Sequence, residues 1–142
     1  MAFAHPELFG SVSSHSGVLV RAPSANTGAG APVDSWESEL NAKVFGNPVD
    51  MKSWNRNSPF VLARANRTAL LKLKIYFDCG TEDSFGLYRG ATELHQALDS
   101  LKIPHEFHLY PGGHTSAYLV THRDASYQFH WREFNLQHGS GN

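Results

Sequence analysis

The sequence of 142 residues contains a single cysteine, Cys79. That excludes an internal disulfide framework and any zinc centre built on several thiolates. A charge excess of one sign is also missing: 12 Lys and Arg face 13 Asp and Glu, a formal net charge of −1. Nucleic-acid and anionic-membrane binders need clustered cations, so neither partner is expected. No apolar run reaches the ~18 residues that span a bilayer as a helix. The N-terminal Met1-Ala2-Phe3-Ala4-His5-Pro6 has no basic start and no long apolar stretch, so it does not read as a signal peptide. It reads as the last turns of a helix.

What is present suffices for a core. Hydrophobic residues make up 41% and aromatics 12%, too many for a disordered chain. The length suits one domain. Histidine is plentiful, at nine residues; protonating all nine would move the charge from −1 to +8. Sensitivity to pH between about 5 and 7 is therefore expected.

Periodicity organises the chain. Residues 10–17, glycine-bounded and weakly alternating, predict a short buried strand. Residues 17–57 form a loop-rich insertion, with Ala, Gly, Pro and Ser dominating its first half. Within it, Asp34-Ser35-Trp36-Glu37 resembles a capping box opening a helix to about Val44, stopped by Gly46-Asn47-Pro48. Asn57-Ser58-Pro59 opens another helix to about Ala65. The run from Lys72 to Gly80 is the best strand signal. Leu87, Ala91, Leu94, Leu98 and Leu101 then recur at helical spacing, ending at Lys102-Ile103-Pro104. His105 to Tyr110 predicts a third strand, and Ser116 to Phe134 a last helix with Tyr127, Trp131 and Phe134 on one face. Residues 138–142 read as a frayed tail. Strands alternating with helices imply an α/β fold with a parallel sheet, whose functional residues collect at the strands' carboxyl ends.

Two loops occupy those ends: Cys79-Gly80-Thr81-Glu82-Asp83-Ser84 and Pro111-Gly112-Gly113-His114-Thr115. Adjacent parallel strands lie about 4.8 Å apart, so Asp83 and His114 can meet. A carboxylate beside an imidazole fixes its tautomer and stabilises the imidazolium formed in acyl transfer. Taken singly, Asp83 also fits a helix N-cap and His114 a surface loop residue. The pair carries more than either, because both follow consecutive strands.

Tyr76-Phe77-Asp78-Cys79-Gly80-Thr81-Glu82-Asp83, the amphipathic helix after it, and Pro111-Gly112-Gly113-His114 together resemble the C-terminal part of an α/β-hydrolase esterase family. That family includes esterase D, feruloyl esterases and mycolyltransferase-like proteins. Residues 4–17 are similar to its segment after the nucleophile helix. The resemblance covers residues 1 to about 17 and 70–134. It implies a three-layer, parallel-sheet α/β-hydrolase fold truncated to its C-terminal strands and helices, a single partial domain over 1–142. It further implies a carboxylic ester hydrolase acting on a small-molecule ester without cofactor or metal, with Asp83 as triad acid and His114 as triad base.

The departure from the family is the nucleophile. Hydrolases of this fold place it in a Gly-x-Ser-x-Gly elbow, in chain order Ser, Asp, His. No such pentapeptide occurs here, nor a recognisable oxyanion-hole loop. Ser13, Ser14 and Ser16 lack the flanking glycines and read as a strand end. A zinc site from His108, His122 and His130 is not expected, since no spacing such as H-E-x-x-H occurs. Trp36, Trp54, Phe60 and Tyr118 fit core or cap packing better than an acyl pocket. Cys79 fits a small packed residue better than a nucleophile. Two alternatives stand beside the esterase: a non-catalytic remnant, and a module that self-associates as a homo-oligomer through an exposed strand edge.

Overall fold

The computed structural model describes residues 1–23 and 36–138. Three strands, β1 (Ser11–His15), β2 (Lys74–Gly80) and β3 (Glu106–Tyr110), form one parallel sheet in the order β1-β2-β3. The register pairs His15 with Asp78 and Asp78 with His108. Among the described residues six α-helices accompany them: α1 (Trp36–Phe45), α2 (Met51–Asn57), α3 (Pro59–Ala65), α4 (Arg67–Leu70), α5 (Leu87–Ser100) and α6 (Ser116–His138).

β2 is the central strand, and its residues from Ile75 to Gly80 are all buried, as expected where both faces of a parallel strand are covered. Period two divides these residues between two chemically different layers. Ile75, Phe77 and Cys79 join Phe60, Leu70, Leu87, Leu94 and Leu98 in the apolar core shared with α3, α4 and α5. Tyr76 faces the other way, with its ring 5.5 Å from Phe129 of α6. The α5 face foreseen from its leucine spacing is the one it buries. That helix ends as Ile103 N–H donates to Leu98 O and Lys102 turns to φ +57°.

The first residues form a turn and then a 3-10 helix, Pro6–Leu8, rather than the tail of an α-helix. Asn66 anchors them by donating from Nδ2 to Phe3 O at 2.8 Å. Helix α2 was not foreseen. Only Trp54 of its seven residues is buried, so it shows little apolar period. Its local signal is Asp50, whose carboxylate accepts from Lys52 N and Ser53 N as an N-cap. α3 begins as expected, with Ser58 at the N-cap and Pro59 in the first turn. The expected Asp34 cap and the tail beyond His138 lie outside the described residues. Tyr127, Trp131 and Phe134 do share a face of α6, and that face is exposed.

Candidate active site

Gly80 ends β2 and Tyr110 ends β3, and the two following loops are held together by backbone hydrogen bonds. Thr81 N donates to Tyr110 O and Glu82 N to Gly112 O, both at 2.9 Å. This proximity depends on glycine. A Cβ on Gly80 would lie 2.2 Å from Gly112 O, and Gly112 itself adopts φ +130°.

The clasp brings Asp83 and His114 together. His114 Nδ1 lies 2.9 Å from Asp83 Oδ2. The Asp83 side chain is fully buried, whereas 42% of the His114 side chain is exposed. Asp83 Oδ1 accepts from Phe85 N at 2.9 Å, so the carboxylate is fixed at both oxygens. Asp83 is not the N-cap of α5; Gly86 holds that position. The Phe85 ring meets the His114 ring edge-on, with centroids 5.1 Å apart. A carboxylate only accepts, so Nδ1 carries the proton and Nε2 is left with its lone pair. An imidazole in this state can remove a proton from a hydroxyl. His114 lines a cavity of about 310 Å³ with His15, Ser16, Thr115, Ser116, Tyr118 and Leu119.

Behind that cavity lies a second buried cluster, absent from the expectations above. Asp78 is 1% exposed. Tyr76 donates its hydroxyl to Asp78 Oδ2 and Tyr118 to Oδ1, both at 2.8 Å. His15 Nδ1 stands 2.7 Å from Oδ2. On the far side of that ring, Nε2 lies 2.9 Å from Ser126 Oγ, which itself donates to Arg123 O. Ser126 must therefore accept from Nε2, while the buried Nδ1 makes no hydrogen bond among the described residues despite its nearness to the carboxylate. Burial first, and then the bond to Asp78, pushes both tyrosine hydroxyls well above their ordinary value, so both stay protonated donors. One sequence signal was available: an Asp within an otherwise apolar buried strand.

Two serines of β1 meet His130. Ser11 Oγ and Ser13 Oγ bracket the two ring nitrogens of His130, at 2.7 and 2.9 Å. Ser16 takes φ +45°, but its hydroxyl is buried and approaches the Cys79 thiol. Cys79 has no exposed surface, and burial pushes its thiol up to about 11. It is a packed residue rather than a thiolate. Trp54, Phe60 and Tyr118 are buried, the last against the site. His130 is held between Ser11 and Ser13, His108 stacks on Tyr110, and His122 stacks on Tyr110 and tilts against Tyr118.

The family model described as "Putative esterase" matches residues 1–128. The chain belongs to that esterase family. Among solved structures, a ferulic acid esterase matches with a TM-score of 0.60 at 23% identity, over 89% of this chain and 42% of its own. FphF, a fluorophosphonate-binding serine hydrolase of Staphylococcus aureus, matches with a TM-score of 0.59 at 19% identity, over 93% of this chain and 48% of its own. A comparison with curated proteins returned no match. The esterase-family chain thus has an α/β-hydrolase fold and spans less than half the length of both structures. No described helix is long and apolar enough to cross a membrane.

Proposed function

We propose that this chain supplies the acid–base half of a serine carboxylic ester hydrolase, with Asp83 orienting His114 and a serine from outside these 142 residues as nucleophile. The observation that carries it is the 2.9 Å contact between a fully buried carboxylate and a cavity-lining imidazole. His114 Nε2 removes the serine hydroxyl proton as the oxygen attacks the ester carbonyl carbon. The resulting imidazolium is stabilised by Asp83 and returns its proton to the leaving alcohol. Water then loses a proton to Nε2, attacks the acyl-serine, and releases the carboxylic acid and the serine. The substrate is a small-molecule ester, and no metal or organic cofactor enters the scheme.

The test mixes the chain with a separately made N-terminal hydrolase fragment and follows p-nitrophenyl acetate cleavage against denatured protein. Hydrolysis should appear on mixing and vanish with His114→Ala. Hydrolysis unaffected by that substitution would contradict the assignment.

A second reading, self-association, is favoured by one surface. Among the described residues β1 is paired only with β2, and beside it Ser11, Tyr127, His130, Trp131 and Phe134 line a shallow apolar hollow. A second copy of the chain is the occupant this reading names.

A further inference from the structure

His95 and Asp99 stand one turn apart on α5, so their side chains are neighbours on one helix face. The reversal after the helix, through Lys102 at φ +57°, returns the chain to the same place and sets His105 beside them. All three residues present a ligand atom within 4.8 Å of the others. His105 Nε2 lies 2.7 Å from His95 Nδ1 and 4.0 Å from Asp99 Oδ1, and His95 Nε2 lies 3.4 Å from Asp99 Oδ2.

The proton positions make this a ligand set. His105 Nδ1 lies 2.9 Å from Ile103 O. A carbonyl only accepts, so the proton is on Nδ1 and the Nε2 lone pair points into the cluster. A histidine donating its other nitrogen to a backbone carbonyl is the arrangement that orients metal-bound imidazoles. The His105 side chain is only 3% exposed, and its ring stacks on Phe77 with centroids 5.7 Å apart. The His95 ring stacks on Phe107 at 4.8 Å. One imidazole is locked by burial, the second is steadied by stacking, and the carboxylate is exposed and adjustable.

We propose that His95, Asp99 and His105 bind a divalent transition-metal ion of the zinc type, clipping the C-terminal end of α5 to the start of β3. Two imidazoles and one carboxylate suit Zn²⁺, Cu²⁺, Ni²⁺ or Co²⁺ rather than Mg²⁺ or Ca²⁺. Without an ion, His95 Nδ1–H donates to His105 Nε2. On binding, that proton moves through solvent to His95 Nε2, on the outer side of the ring, where water accepts from it, and Nδ1 becomes a ligand. His105 Nε2 and Asp99 Oδ1 are the other protein ligands, and water takes the fourth position. Ligands about 2.05 Å from a tetrahedral ion sit about 3.3 Å apart, so the two nitrogens open slightly and Asp99 closes in. The site lies at the opposite end of β3 from His114, so the ion acts on stability and not on the ester chemistry.

Titration calorimetry of the full chain with Zn²⁺, with Co²⁺ absorption as a second readout, tests this. One ion per chain is expected, with affinity falling about tenfold or more in His95→Ala and in Asp99→Asn. His5→Ala, at the exposed N-terminal segment, should bind as the parent chain does. Both ligand variants alter partly exposed side chains, so their folding is checked by the unchanged circular dichroism spectrum. No saturable binding by the parent chain, or binding by both variants as tight as the parent chain's, would overturn the proposal. Loss in His95→Ala alone would also overturn it, since the carboxylate would then not be a ligand.

Discussion

At the residue scale, the site depends on the contrast between Asp83, fully buried, and His114, open to the cavity. Burial keeps water from competing for the carboxylate, and on the esterase reading exposure is what would let the imidazole meet substrate. Asp83→Asn preserves shape but offers an amide N–H to the ring, favouring the wrong tautomer. A loss of about 10⁴ in kcat is expected in the reconstituted ester assay, with little change in fold. Cys79 gives an independent check on packing. With its thiol pushed up to about 11 and no surface exposed, it should resist alkylation at pH 8 in the native chain and react on unfolding. Thiol titration with and without denaturant measures this. Burial also lowers His130 below its ordinary value of 6.5. The unfolded chain therefore takes up that proton first as pH falls. This contribution to stability is complete above about pH 6.5 and is lost as pH drops through the lowered folded value. Thermal unfolding between pH 8 and 5 should show a shallower acid-side slope in His130→Gln than in the parent chain.

At the scale of elements, the approach of the two site loops is the sensitive feature. Gly80→Ala forces Cβ against Gly112 O, so the loops must part and the Asp83–His114 contact with them. Esterase activity in the reconstituted assay should fall sharply, whereas Leu98→Ala should instead cost about 2–5 kcal/mol of stability, read by denaturant unfolding. β2, α5 and β3 were legible in the sequence because each carries a run long enough to show its period. α2 was not, since Trp54 is its only buried side chain and its N-cap, Asp50, gives a brief signal. α4, at four residues, is too short to carry a period. The Asp83–His114 meeting could be foreseen because consecutive parallel strands set their loops side by side. The His15–Asp78 cluster could not, because it depends on the register of β1 against β2 and on where α6 crosses them. The same holds for His95, Asp99 and His105, where a turn of left-handed backbone closes the group.

At the scale of the whole molecule, one side of the sheet is a buried apolar core and the other a polar network beneath α6. The outer face of α6 carries Tyr127, Trp131 and Phe134, between 55% and 67% exposed, beside the outer edge of β1. On the self-association reading, sedimentation velocity should show species growing with concentration, and Trp131→Lys should suppress them. A sharp monomer at high concentration would contradict that reading and leave the esterase reading untouched. The esterase reading stands on a single geometric claim, that Asp83 holds the proton of His114 on Nδ1 and leaves Nε2 free. Nitrogen-15-edited NMR of the His114 ring tests this most directly. The account predicts a slowly exchanging, low-field Nδ1 proton and, in the neutral ring, an unprotonated Nε2, with the low-field signal lost in Asp83→Asn. A ring protonated on Nε2 alone, or a signal indifferent to Asp83→Asn, would contradict it.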